Sequence, residues 1–120
     1  MIFPVIELVD RFAIAKLKLA KTNGANQEEF DFYDRQLNDS GYDLGMVEQE
    51  LAQLHGIHSE IWNLEAELKS GRESELSLEE LGRRAIMIRN LNNQRIQLKN
   101  SIAEQLGCSV REIKKDHLSE

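Results

Sequence analysis

Two pairs of carboxylates near the start of the chain have a spacing suited to metal binding. Glu7 precedes Asp10 by three residues, and Glu28 precedes Asp31 by the same interval. Positions three apart lie on one face of a helix, and carboxylate oxygens are the ligands that Mg²⁺ prefers. These four residues are therefore candidate magnesium ligands. The alternative is a solvated acidic face, because a chain with 21 acidic residues forms such pairs by chance.

Polar side chains also interrupt two apolar seams. Leucine, valine and isoleucine recur at alternating steps of three and four in a heptad stripe over 44–68, with His58 and Glu65 among them. A second stripe over 81–102 contains Arg95, with Asn92 beside it. A charge on a packing face is costly unless it is paired and hydrogen-bonded. These residues either fix the register of the helices or line a polar pocket for an anionic ligand, with arginine as its clamp.

The elements that carry these residues are predicted to be four helices, over 5–21, 27–37, 44–69 and 77–106. Pro4 suits the first turn of a helix, and Gly107 suits a C-terminal stop. Capping boxes are predicted at Asn26 with Glu29 and at Ser77 with Glu80, and a short terminal helix from Ser109. In the first helix, two apolar rows form a buried face, with Glu7 and Asp10 on the opposite, polar face.

The lengths of these helices predict the architecture. Helices three and four are each on the order of 40 Å long, and a short loop over 70–74 joins them as an antiparallel hairpin. We therefore expect one all-α domain over residues 1–120, an antiparallel helical bundle built on this hairpin. The first two helices are too short to cover it, so the remaining apolar stripe is expected to form a homodimer, with Trp62 as an interface anchor.

Composition excludes several classes of function. The net charge of −6 argues against a broad nucleic-acid interface, and the chain has one cysteine, so it forms no internal disulfide. No apolar run approaches the roughly 18 residues that span a bilayer, and no glycine-rich phosphate loop occurs. These features predict a cytoplasmic protein that binds neither membranes nor nucleic acids.

Two resemblances extend these expectations. The acidic pairs are similar to the E-x-x-E…E-x-x-D pattern of the all-α nucleoside triphosphate pyrophosphohydrolases, which bind magnesium. The segments ELVDRFAIAKLK, EIWNLE and LNNQRIQLK resemble a bacterial and phage family of small helical proteins, a domain of unknown function with E-L-[IV]-D-[KR], W-x-x-E and N-x-x-R-x-x-x-K motifs. The matching residues are Glu7, Asp10, Lys18, Trp62, Glu65, Asn92, Arg95 and Lys99. The resemblance covers a little over half the chain and implies an all-helical fold without implying an activity.

Together these observations favour a non-enzymatic homodimer that serves as a binding or assembly module, with a protein partner and no intrinsic cofactor. The alternative is a magnesium-dependent pyrophosphohydrolase-like enzyme or a protein that binds a small anion. The metal would be held by Glu7, Asp10, Glu28 and Asp31. The candidate ligand-binding residues are His58, Glu65, Asn92, Arg95 and Lys99.

Overall fold

The computed structural model describes residues 3–69 and 76–108, and within them the chain is all-α. Its helices are α1 (Val5–Lys21), α2 (Gln27–Asn38), α3 (Glu48–Lys69) and α4 (Leu78–Gln105). The described residues contain no strand. The predicted fold class is thus confirmed. The predicted loop over 70–74 and the terminal helix from Ser109 fall outside the described residues.

The predicted third helix is divided at its start. Residues Leu44–Val47 form a single 3₁₀ turn, and α3 proper begins at Glu48. The Asp43 carboxylate accepts a hydrogen bond of 3.1 Å from the backbone N–H of Gly45 and so caps this turn. The predicted heptad seam continues through the junction, because Val47 and Leu54 are both fully buried.

Helix α4 begins and ends as its sequence predicts. The Ser77 hydroxyl accepts a hydrogen bond of 3.0 Å from the Glu80 N–H at the start of the helix. At the other end, Gly107 has φ +75°, a conformation that glycine adopts without strain. The Cys108 N–H then donates to the Ala103 carbonyl at 2.8 Å, which completes a Schellman motif.

The capping box predicted at Asn26 is wrong. Asn26 does occupy the N-cap position of α2, but its side chain makes no capping hydrogen bond. Its amide instead donates to the Ala15 carbonyl in α1 at 3.0 Å. The asparagine therefore ties the start of α2 to the middle of α1.

Helix α1 lies in the angle between α3 and α4, while α2 packs on the outer side of α1. At about 1.5 Å per residue, the 17 residues of α1 span roughly 25 Å, whereas the 28 residues of α4 span roughly 42 Å. The last residue of α1, Lys21, reaches Asn63 of α3 with its ammonium nitrogen 3.5 Å from the amide oxygen. We call the part that α1 covers the base of the hairpin (residues 48–63 and 91–105). The part beyond it is the tip (residues 64–69 and 78–90).

None of the helices in the described part of the chain is long and apolar enough to cross a membrane.

Candidate functional site

One carboxylate joins the three helices at the base of the hairpin. Asp10 of α1 is 6% exposed, and its Oδ1 accepts a 2.7 Å hydrogen bond from Nε2 of His58 in α3. Its Oδ2 accepts from a terminal guanidinium nitrogen of Arg95 at 2.8 Å and from the Lys99 ammonium at 3.4 Å, both in α4. An ionised carboxylate can only accept, so the Nε2 of His58 carries the hydrogen.

Lys99 is the most deeply placed cation of this cluster. Its side chain is 1% exposed, and its ammonium lies 3.2 Å from Oε1 of the half-buried Glu7. The Arg95 Nε donates to the Asn92 amide oxygen at 3.3 Å. The cluster thus matches two carboxylates, Glu7 and Asp10, with two permanent cations, which offsets the cost of taking charges out of water.

The surroundings of Asp10 fix its protonation state. Burial raises the pKa of its carboxyl, but the hydrogen bond from His58 and the positive charges of Lys99 and Arg95 outweigh burial. The resulting pKa lies below the ordinary value of 3.8. Asp10 is therefore ionised at neutral pH and acts as a fixed counterion. A general acid or base instead requires a pKa close to the working pH.

The structure brings together four of the five predicted ligand-binding residues. His58 and Arg95 meet through Asp10, and Asn92 and Lys99 join the same cluster. Glu65 is half-buried on α3, two helical turns farther toward the tip than His58. Glu67, on the same helix, forms an ion pair with Arg84 of α4.

The predicted metal ligands are divided between two environments. A cleft of 300 Å³ between α1 and α2 is lined by Glu7, Asp10 and Glu29, but not by Glu28 or Asp31. Both oxygens of Asp10 already accept hydrogen bonds from His58 and Arg95. These donors occupy the positions that a divalent cation would need. Within residues 3–69 and 76–108, no group of three or more His, Cys, Asp or Glu side chains is arranged to hold a metal ion. The magnesium hypothesis stays a prediction without support from this geometry.

The central role of Asp10 is the feature that the sequence did not reveal. The periodicity of α1 places Asp10 on its polar face, yet Asp10 and Ala13 are both 6% exposed. The assignment was wrong because α1 contacts α3 and α4 on one side and α2 on another, so its buried surface is wider than one stripe. The sequence does contain one signal of a buried carboxylate, which is the spacing of Arg95 and Lys99. These two cations lie one turn apart on α4, and on a packing face they require a buried anion.

Comparison with known proteins gives no relative for this chain. No protein-family model matches it, and neither the curated proteins nor the solved structures contain a significant match. The motif resemblance to the bacterial and phage family therefore stays a prediction, and function has to be argued from the geometry.

Proposed function

We propose that the chain is a non-enzymatic assembly module that forms a homodimer through the tip of the α3/α4 hairpin. The observation that carries this proposal is the uncovered apolar surface of the tip. Leu78 is 88% exposed, Ala85 is exposed, and Leu81 and Ile88 are half-buried. An apolar side chain in water is unremarkable by itself, but a continuous patch of them marks an interaction site.

These residues continue the face of α4 that packs against α1 at the base. Ala85 precedes Asn92 and Lys99 by seven and fourteen residues, which is two and four helical turns, so the three share one face. At the base that face is covered by α1. At the tip α1 has ended, and Leu78 and Ala85 on the same face are exposed.

Trp62 lies at the boundary between the two regions. It is half-buried on α3, one residue before Asn63, where the end of α1 is attached. A large aromatic ring at the edge of an apolar surface is a typical interface anchor. This supports the sequence-based assignment of Trp62 to the interface.

A second copy of the chain is the occupant that the apolar surface favours. Two arginines of the tip are already satisfied within the chain, because Arg83 pairs with Glu79 and Glu80, and Arg84 pairs with Glu67. A twofold axis can place the apolar face of α4 in one copy against the same face in the other. The same symmetry covers both apolar surfaces at once and leaves neither open for further growth.

The buried charges at the base support a structural role for that region. Arg95 and Lys99 would have to leave Asp10 and Glu7 before they could hold an anionic ligand. Breaking a buried, hydrogen-bonded ion pair is strongly unfavourable. We therefore assign the Asp10 cluster to fixing the position of α1 on the hairpin, which in turn sets how much of the tip stays uncovered.

The test compares the same substitution at two exposed alanines. Ala85→Glu places a charge on the proposed interface, whereas Ala20→Glu places it on the exposed surface of α1. We expect the wild type and Ala20→Glu to sediment with twice the 13.8 kDa chain mass. Ala85→Glu should weaken dimerisation at least about 30-fold, because a charge would be buried without a partner.

Circular dichroism should show equal helix content in all three proteins, since both alanines are exposed. A wild-type protein that stays monomeric at about 100 μM would overturn the proposal, because the dissociation constant of a stable homodimer lies far below that concentration. Equal dissociation constants for Ala85→Glu and Ala20→Glu would show that the dimer interface does not lie at the tip.

A further inference from the structure

We propose that Asn23 is a site of covalent modification, at which its side-chain amide is lost to give aspartate and isoaspartate. Asn23 lies in the turn between α1 and α2 and is followed by Gly24. No other asparagine in the sequence precedes a glycine. Because glycine has no Cβ, its backbone nitrogen can approach the carboxamide of the preceding residue without steric hindrance. This chemistry is independent of whether the chain dimerises through the tip.

The reaction needs only the chain and water. Hydroxide removes the proton from the Gly24 N–H, and the nitrogen then forms a bond to Cγ of Asn23. The bond from Cγ to the side-chain nitrogen breaks, and that nitrogen leaves as ammonia after it takes a proton from water. Water opens the resulting cyclic succinimide at one of its two carbonyl carbons, which gives either aspartate or isoaspartate. The net change is the uptake of water and the loss of ammonia, with no oxidation or reduction.

The surroundings of Asn23 leave its side chain accessible to this reaction. The residue is exposed, and within the described part of the chain its amide makes no hydrogen bond. A Cβ on Gly24 would meet no atom within 4 Å, so the space beside the turn is open. By contrast, the amide of Asn26 donates to the Ala15 carbonyl. The other six asparagines lie within α2, α3 and α4, where the regular main-chain hydrogen bonds restrain the backbone.

The main chain of the turn controls the rate. Asn23 has φ +55°, the left-handed conformation in which many helices end, and Gly24 follows with φ +86°. In this arrangement the Gly24 N–H donates to the Leu19 carbonyl at 3.0 Å. The nitrogen that has to lose its proton is therefore held in a hydrogen bond. The reaction proceeds from conformations in which the end of α1 has opened, and helix ends open more readily than helix centres.

The modification changes the chain where α1 is attached to its neighbours. The new carboxylate lies at the negative end of the α1 dipole, where a negative charge is unfavourable. Isoaspartate also adds one carbon to the main chain between α1 and α2. On either side of this position, Lys21 contacts Asn63 and Asn26 contacts Ala15. The modification therefore alters charge and chain length at the end of α1, the point that separates the base from the tip.

The experiment follows the loss of amides in the full chain during incubation in mildly alkaline buffer. Trypsin digestion gives a peptide over residues 22–35 that contains Asn23 and Asn26, and fragmentation in the mass spectrometer distinguishes the two. We expect Asn23 to be modified faster than any of the other seven asparagines. A parallel incubation in guanidinium chloride removes the hydrogen bond to Leu19. The rate at Asn23 should then rise at least about fivefold, the factor that one hydrogen bond provides.

Two variants separate the role of the side chain from that of the turn. Asn23→Gly removes the amide and keeps a residue that adopts positive φ without strain, so the peptide over the turn should retain its mass. Asn26→Ala removes the hydrogen bond that ties the start of α2 to Ala15. The turn should then open more often, and the rate at Asn23 should rise about twofold or more while circular dichroism shows unchanged helix content. The incubations of the wild type are informative even if a variant folds poorly.

Three results would overturn this proposal. One is a faster loss of the amide at another asparagine of the native chain. Another is the same mass change of the turn peptide in Asn23→Gly. The third is a rate at Asn23 that is equal in the native and the unfolded chain, or equal in the wild type and Asn26→Ala, because the turn would then not control the reaction.

Discussion

The base and the tip of the hairpin belong to the same two helices, yet they place their charges and apolar groups in opposite ways. At the base, Lys99 and Asp10 are buried and paired, and the apolar side chains around them are covered by α1. At the tip, Arg83 pairs with Glu79 and Glu80 at the surface. Here the apolar Leu78 faces water.

This difference shows how the length of one short helix divides the hairpin. Where α1 is present, its carboxylates neutralise the cations of α4, and the three helices enclose a core. Where α1 has ended, the same heptad pattern continues, and no third helix among the described residues packs on it. The base thus stabilises the monomer, and the tip is the surface at which we propose that a second copy binds.

The largest expected effect comes from removing the central carboxylate of the base. Asp10→Ala leaves Arg95 and Lys99 without this counterion, and Lys99 is 1% exposed. We expect a loss of about 3–5 kcal/mol in the free energy of unfolding, measured with urea at fixed protein concentration. Asp31→Ala is the control, since Asp31 is exposed, and it should change stability by less than about 0.5 kcal/mol. A loss below about 1 kcal/mol for Asp10→Ala would show that the cluster does not hold α1 in place.

A matched pair of leucine truncations compares the two regions directly. Leu54 at the base is 0% exposed, and Leu78 at the tip is 88% exposed. Leu54→Ala should cost about 2–5 kcal/mol, because it removes buried apolar contacts and leaves a cavity. Leu78→Ala should change the unfolding free energy by less than about 0.5 kcal/mol when measured on the monomer. Similar losses at both positions would mean that the tip is covered within the monomer.

Low pH should remove the stability that Asp10 contributes at the base of the hairpin. The pKa of Asp10 is lower in the folded protein than its ordinary value of 3.8, so the unfolded chain binds the proton more readily. The stability that Asp10 contributes is complete above pH 3.8 and is lost as the pH falls through the lower, folded pKa. In urea titrations at a series of pH values, the difference in unfolding free energy between the wild type and Asp10→Asn should be largest near neutrality. It should shrink as the pH falls below 3.8. If this difference does not change with pH, the ionised form of Asp10 is not the source of the stability.

The smallest effect concerns two glycines inside the helices. Gly56 of α3 lies at the base and Gly82 of α4 lies at the tip, and a Cβ at either position would meet no atom within 4 Å. Alanine at either position should raise the unfolding free energy of the monomer by about 0.5–1 kcal/mol, through helix propensity alone. Thermal unfolding of both variants tests this. A gain at Gly56 without one at Gly82 would indicate that the tip is frayed or packed against another chain.

Much of the fold could be predicted from the sequence because it depends on local or periodic signals. The heptad steps that include Val47 and Leu54 placed both residues in the core, and Ser77 and Gly107 marked the two ends of α4. These signals act within a few residues, so a single chain displays them. Asn26 shows the limit of this approach, since its amide had a tertiary partner in Ala15 that competed with the local cap.

The candidate site was only partly predictable for the same reason. Helical periodicity indicated that His58 and Arg95 lie on packing faces and require partners. It could not indicate that the partner is Asp10, because that depends on the angle at which α1 crosses the hairpin.

The sequence by itself therefore determined the helices, both ends of α4 and the hairpin, since hydrophobic periodicity and capping are properties of neighbouring residues. Only the tertiary structure decided that Asp10 meets His58, Arg95 and Lys99, and that α1 ends at the level of Asn63. These features arise from contacts between residues 42 to 89 positions apart. The packing of three helices of unequal length brings such residues together, and no pattern within one helix encodes it.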